Sequence, residues 1–419
     1  MRRVAVVGGG IAGIACADAL SADHAVTLFE ADSRLGGHTD THDLDIDGVA
    51  AAIDSGFIVF NRRNYPQFSA WLDALGVATH ATDMGFSVTD RARDFEYGTD
   101  RLAALAAQPT NLVRPRFVRM LADVGRFYRD ARDLSAADAA LTLGEYVQRR
   151  GYGAGFVEDH LLPMCAALWS QPIASVRSSA IGHVVAFMDN HGMLTLADRP
   201  QWRVVSGGSR RYVDAFVRRF RGTLLTDARV RRVRRDARGV ELATADATLR
   251  FDAVVLACHA DQCLAVLEQP RATERALLGA IRYQPNRVVV HTDATLMPRR
   301  RRAWSSWNAF VGGAADRHCT VTYWMNRLQR VATPRPVFVS LNPADRIRAA
   351  AVLATRDYAH PVFDRAAVAA QARLGELQGH GGVHFAGAWS GFGFHEDGFV
   401  SGRAAAEAVR QGARGHRAA

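Results

Sequence analysis

The sequence predicts an α/β protein in which a Rossmann-like dinucleotide-binding domain is interleaved with a second domain of α+β type. Three observations carry this reading. A β-branched apolar run, VAVV, enters Gly8, Gly10 and Gly13 and continues directly into an alanine-rich helix. Glu30 closes the next strand, AVTLFE, seventeen residues after the last of those glycines. Further nucleotide-binding signals recur in two stretches far downstream, so the domain is predicted to be interrupted twice. At 419 residues the chain exceeds the size at which one hydrophobic core keeps growing, and 48% apolar content is ample for two.

The opening stretch, residues 1–60, is a cradle for a dinucleotide. Gly8 allows the tight turn, Gly10 lets the backbone approach a pyrophosphate, and Gly13 permits close packing of helix on strand. The phosphates face a helix N-terminus whose unpaired N–H groups begin at Ile11 and Ala12. Glu30, followed by Ala31, is placed to take a ribose hydroxyl pair. The stretch ends in AAIDSGFIVF, where Asp54 and Gly56 terminate a strand.

The second stretch of this domain is residues 203–268: a glycine turn at Gly207 and Gly208, a helix from about Arg211, a strand around Arg229 and Val230, and the buried strand and turn FDAVVLACHA. The third, residues 383–419, contains the strand VHFAGAW and the helix DGFVSGRAAAEAV. Blocks 61–202 and 269–382 are expected to associate into the substrate domain. The first block reads as mostly helical, with NYPQFSAWLDALG at helical spacing and a capping box formed by Thr142 and Glu145. The second reads as a sheet, NRVVVHTD, CTVTYWMN and PVFVSLN, with a helix from about Asp364 to Leu377.

Composition excludes several classes. The five cysteines are scattered without zinc spacing, so no metal site is expected and the thiols suit a reducing compartment. No apolar run is long enough to cross a bilayer, and the chain opens on a strand, so a cytoplasmic location is expected. The net charge is +10 and no lysine occurs anywhere, so every cation is an arginine. Clusters at Arg114, Arg116, Arg119, Arg126, Arg129 and Arg132, and at 299–302, are read either as solvated faces or as seats for anionic lipid headgroups at the inner membrane face. Nucleic acid is disfavoured, because aromatics are not interleaved with these arginines.

Glu30 is followed by ADSRLGGH, and the N-terminus thereby closely resembles the flavoproteins of the amine oxidase and phytoene desaturase superfamily. In that superfamily the Arg-x-Gly-Gly element, here Arg34, Gly36 and Gly37 followed by His38, wraps the pyrophosphate of FAD. The resemblance therefore implies FAD as cofactor and an FAD-binding domain of the amine-oxidase type. It implies that Val230 meets the adenine through its backbone, and that Gly387 and Trp389 lie near the ribityl and pyrophosphate. Gly398 and Phe399 would open a helix toward the flavin pyrimidine. Ala388 stands where many relatives carry an acid.

The amine oxidases of the superfamily hold a lysine by a water to flavin N5, which this lysine-free chain cannot do. His395 takes the place of one of their two aromatic cage residues, and with Glu396 and Asp397 it forms a titratable cluster that is the leading acid/base candidate. A histidine that only hydrogen-bonds the helix start fits the same residues. His191, Tyr283, Asn286, Tyr323 and Trp324 are further candidates for the substrate cavity, each also readable as core.

The segments RYQPNRVVVHTD, LMPRRRRAWSSWN, VTYWMNRLQ and GFHEDGF resemble one bacterial branch of the superfamily, encoded beside cyclopropane-fatty-acid-synthase-like methyltransferases, which are thereby implied as partners. That branch includes the desaturase of furan fatty acid synthesis. The resemblance implies a methylated unsaturated fatty acyl chain, carried on a phospholipid, as substrate. An amine or small-molecule oxidase and a redox-neutral double-bond isomerase remain alternative readings. No second dinucleotide fingerprint appears, so direct exchange with NAD(P) is not expected.

Overall fold

A computed structural model describes residues 1–169, 173–195, 198–312 and 319–415. Strand β1 (Arg3–Val7) sits at the centre of a five-stranded parallel sheet, because Val4, Ala5 and Val6 are buried on both faces. On one side it pairs with strand β2 (Ala25–Phe29), which pairs in turn with Thr223–Leu225. On the other side stand Ala253–Leu256 and Val383–Phe385. The sheet thus draws its strands from three separated parts of the chain.

Helix α1 (Ile11–Leu20) is buried along nearly its whole length between this sheet and the C-terminal helix His395–Gly415. Its small side chains permit the contact: a Cβ on Gly402 would lie 2.1 Å from the carbonyl oxygen of Ala12. The strands Arg232–Asp236, Gly239–Ala243 and Thr248–Phe251 form an antiparallel meander leading back into the main sheet. Arg229 and Val230 lie just before this meander rather than in a strand.

The second body is built on a seven-stranded sheet. Its order is Val352–Val362, Arg282–His291, Phe338–Leu341, Cys319–Trp324, Trp307–Val311, Phe86–Asp90 and Phe95–Gly98. The last two strands correct the mostly helical reading of the first insert, since Phe86–Asp90 pairs in parallel with Trp307–Val311. Helices of that insert cover the sheet, burying Phe117, Phe127, Tyr146 and Phe156 against Val88, Tyr97 and Ala309. Thr142 and Glu145 make the expected capping box. The helix expected over 364–377 is capped by Asp364 but breaks into Arg365–Gln371 and a short 3-10 turn, Leu374–Leu377.

Asp54 fastens the parts together. Its buried carboxylate accepts hydrogen bonds from the Thr41 hydroxyl (2.5 Å), the Ser209 amide and hydroxyl (2.9 and 2.8 Å) and the Gln329 side chain (2.7 Å). Burial pushes its pKa up to about 6. Asp54→Ala strands these donors without an acceptor, and at about 1–3 kcal/mol for each unsatisfied group the expected loss is on the order of 4 kcal/mol. Thermal unfolding tests this, and a Tm equal to that of the parent chain would refute it.

Candidate active site

A cavity of about 1450 Å³ runs from the β1–α1 turn into the second body. At its outer end the glycines do different jobs. Gly8 has φ +106°, and a Cβ there would lie 2.8 Å from the Ala257 carbonyl oxygen. Gly13 does not line the cavity; its missing Cβ would sit 1.8 Å from the Gly8 carbonyl oxygen, so it acts through packing. Gly10 faces open space, with Ile11 and Ala12 beside it on the cavity wall.

The 34–40 loop closes over this turn. The Gly36 amide donates to the Gly9 carbonyl (2.8 Å), and the Arg34 guanidinium donates to the carbonyls of Gly37 (2.9 Å) and Thr39 (3.0 Å). Arg34 also pairs with Asp40 at 3.3 Å, so its fork tethers the loop. Glu30 accepts from the amides of Gly9 (2.7 Å) and Asp32 (2.9 Å) and lines the cavity, where its remaining lone pairs suit a diol. Ala31, Gly36, Gly37, His38, Val230, Gly387 and Trp389 also line this end. Trp389 is fixed by a 3.0 Å hydrogen bond from Nε1 to the Cys258 carbonyl.

The C-terminal helix opens one turn earlier than expected, at His395. The Gly398 amide is already bonded to the Phe394 carbonyl (3.1 Å), and a Cβ on Gly398 would lie 2.7 Å from Ile11 Cγ2. Gly398 and Phe399 are not among the lining residues: Gly398 lets the helix close on α1, and Phe399 packs against Trp71 and Phe68.

His395 does line the cavity. Its ring stacks on Phe57 at 3.6 Å between centroids, and Nε2 lies 2.8 Å from the Tyr212 hydroxyl and 3.2 Å from Thr39 Oγ1. Burial pushes its pKa down to about 3, so the ring is neutral at ordinary pH rather than poised near it. The expected titratable cluster separates. Glu396 accepts the Gln67 and Phe68 amides, both at 3.0 Å, and so caps helix α2 (Pro66–Ala74). Asp397 accepts the Phe394 amide at 2.8 Å, with burial raising its pKa to about 6.

Beyond His395 the wall is apolar and aromatic, including Met84, Met164, Phe187, Trp307 and Phe394. His191 belongs to it, its ring stacked on Phe187 at 3.9 Å, its Nδ1 at 3.0 Å from the Phe187 carbonyl and its pKa lowered to about 4 by burial. Tyr323 lines it and stacks on Trp307. Tyr283 lines the cavity nearer the cradle, stacked on His259 at 4.4 Å. Trp324 is elsewhere, packed against Trp304 under Arg301, and Asn286 stands behind the wall, bonded to His360. Among the described lining residues the acids are Glu30, Asp32, Asp227, Asp261 and Asp357; none belongs to this aromatic end.

Sequence reasoning missed Phe57, Thr39 and Tyr212, which hold His395. It also missed His259, Tyr358 and His360, which surround His38 at ring distances of 4.8–5.9 Å. The strand Val352–Val362 brings Tyr358 and His360 there two residues apart, and that period-2 placement was the available signal.

The sequence pattern of the flavin-containing amine oxidoreductases matches residues 11–300. The chain belongs to that family. FAD is accordingly its cofactor, and the cradle fits: a turn that only glycine can make, an open approach at Gly10, an acceptor at Glu30 and a clamped loop at Arg34. Solved structures of the same fold include cyclohexylamine oxidase from Brevibacterium oxydans IH-35A, with 17% identity, TM-score 0.68 and 99% of each chain covered. Putrescine oxidase bound to putrescine aligns at 15% identity and TM-score 0.70, covering 98% of this chain and 99% of that one. A CLA-producing fatty acid isomerase from P. acnes aligns at 14% identity and TM-score 0.70, with 98% of each chain covered. No curated protein sequence matches the chain. No helix among the described residues is long and apolar enough to cross a membrane.

Proposed function

We propose that this flavin-dependent oxidoreductase desaturates a methylated, unsaturated fatty acyl chain, the reaction type of furan fatty acid synthesis. One observation carries the reading: the cavity continues past His395 into an aromatic and thioether-lined end that has no acid among its described residues. An ammonium substrate would lose its hydration there without a counter-ion, whereas a hydrocarbon chain loses nothing. The absence of lysine from the whole chain points the same way. The structural likeness to a fatty acid isomerase is a likeness of fold, compatible with a lipid substrate.

When bound, FAD would supply the acceptor for the hydride of the allylic carbon and, once reduced, for the proton of the neighbouring carbon, so the two hydrogens that the acyl chain loses would both be held by the flavin. The protein's part is to hold that carbon at the ring in a dry, shaped cavity. His395 orients rather than deprotonates. An imidazole with a pKa of about 3 is a poor proton acceptor at neutral pH, while its stack on Phe57 and its contact with Tyr212 fix its stretch of the cavity wall.

The test is anaerobic addition of a methylated unsaturated phospholipid, in detergent, to the yellow holoenzyme. The expected result is bleaching and a product two hydrogens lighter. Persistent colour would refute desaturation, and a product of unchanged mass would favour isomerisation. His395→Gln, which keeps a polar contact to Tyr212, is expected to bleach within about tenfold of the parent rate; a fall of about 10²–10⁴ would make His395 the proton acceptor after all.

A further inference from the structure

We propose that the outer face of the helix Pro115–Arg132, with the turn Pro109–Val113 before it, docks on an anionic lipid surface. This turn and helix carry the arginine cluster from Arg114 to Arg132. Val113 is 81% exposed, Val118 52%, Leu112 48% and Leu121 36%, so four of the nine exposed large hydrophobic residues described fall within ten positions. Val118 and Leu121 share a helical face with Ala122 and Gly125, while Phe117, Met120, Phe127 and Ala131 are buried on the opposite side. A helix buried on one face needs no second apolar face toward water, and a compact apolar patch of this kind marks an interaction site.

Charge selects the partner. Residues 99–132 contain seven arginines and three acids, Asp100, Asp123 and Asp130. The acids are turned inward: Asp100 binds Arg327, Asp123 accepts the Gly153 amide, and Asp130 accepts the Tyr152 hydroxyl and pairs with Arg150. Arg116 is spent on Asp159 and Arg126 on Asp123, but Arg119 reaches Asp123 only at 3.9 Å and stays 68% exposed, and Arg129 is exposed with no acidic partner among the described residues. An apolar stripe bordered by cations, with the exposed Asp133 only at the C-terminal end of the helix, fits an anionic headgroup layer, in which the stripe lies at the acyl boundary. A second copy of the chain fits poorly, because an isologous contact would set these arginines against their own images.

The face also adjoins the cavity. Tyr128, on the same helix, lines it and hydrogen-bonds Arg199, an exposed residue of the cavity rim. Docking would therefore bring the opening to the lipid layer, so that an acyl chain could enter without crossing water. This inference concerns binding alone, and its test does not depend on the proposed reaction.

Holoenzyme is sedimented with phosphatidylcholine vesicles with or without phosphatidylglycerol. The parent chain is expected to pellet with the anionic vesicles and to be released by high salt. The variant Val113→Ser/Val118→Ser/Leu121→Ser, and separately Arg119→Glu/Arg129→Glu, are expected to lower the bound fraction about tenfold while keeping full flavin absorbance. A parent chain that stays in the supernatant with both vesicles overturns the proposal, as does parental binding by both variants. A dimer in light scattering that the serine variant splits would reassign the face to a second copy. Because the two variants alter different chemistry, misfolding of one leaves the other to decide.

Discussion

Replacing Gly13 by alanine is expected to yield a colourless polypeptide of lowered stability. The new methyl would stand 1.8 Å from the Gly8 carbonyl oxygen, far inside contact distance, and that oxygen has nowhere to go. The Gly8 amide is bonded to the Phe29 carbonyl at 2.8 Å, Gly8 already sits at φ +106°, and Ala257 closes the other side at 2.8 Å from the position of a Gly8 Cβ. The relief left is to lift the start of α1 off the sheet, which moves the amides after Gly10 away from the phosphate seat. Overpacking of this kind costs about 1–3 kcal/mol or more. If that strain is expressed on cofactor binding, affinity for FAD falls about a hundredfold, at 1.4 kcal/mol for each decade. Flavin absorbance per polypeptide, together with the Tm of the cofactor-free form, measures both effects. Gly10→Ala provides the contrast: its Cβ meets no atom of the described residues within 4 Å, so the apoprotein should keep its Tm and lose only the cofactor. A Gly13→Ala protein that purifies with a full complement of flavin would refute the argument.

That contrast also shows which parts of the molecule were legible in the sequence. The cradle could be read because its constraints are local: a β-branched strand, a turn only glycine can make, and a helix within a few residues of each other. Thr142 and Glu145 were legible for the same reason. Phe86–Asp90 was not, since its parallel partner, Trp307–Val311, lies more than two hundred residues away and nothing near it in the chain announces the pairing. Gly398 was placed one turn late because motif spacing does not record where a helix starts; the Phe394 carbonyl and the side chain of Ile11 decide that. Glu396 and Asp397 looked like a proton relay because they adjoin His395 in sequence. On a helix, neighbours in sequence point apart, and each carboxylate found a backbone amide to cap instead. The depressed pKa of His395 was equally hidden, being a property of its burial, to which the stacked ring of Phe57, far off in the chain, contributes.

Acidification from pH 8 to pH 5 is expected to destabilise the protein steeply, and buried imidazoles are the cause. Burial holds His160, His183, His191, His291, His360 and His384 at pKa values of about 4, and His395 at about 3, against an ordinary value of 6.5 in the unfolded chain. A depressed folded pKa means that the unfolded chain binds protons first. The stability associated with each neutral ring is therefore fully present above about pH 6.5 and is lost as pH falls toward 4. Asp54 and Asp397 oppose this, because carboxyls raised to about 6 favour the folded state as pH falls through 6. The histidines win by number, seven groups against two. A shift from 6.5 to about 4 is worth roughly 3 kcal/mol per group when completed, so a few protons would exhaust a stability of about 5–15 kcal/mol. The Tm should drop by at least about 10 °C between pH 8 and pH 5, with several protons taken up on unfolding. A Tm that is flat or rises would overturn the account. His183→Phe isolates one group: Nε2 of His183 has no hydrogen-bond partner among the described residues and its ring already packs against Phe363 and Phe392, so the change removes a titrating site without stranding a donor there. That variant should lose one proton from the uptake and resist acid better than the parent chain, whereas a purely general acid effect would leave the uptake unchanged.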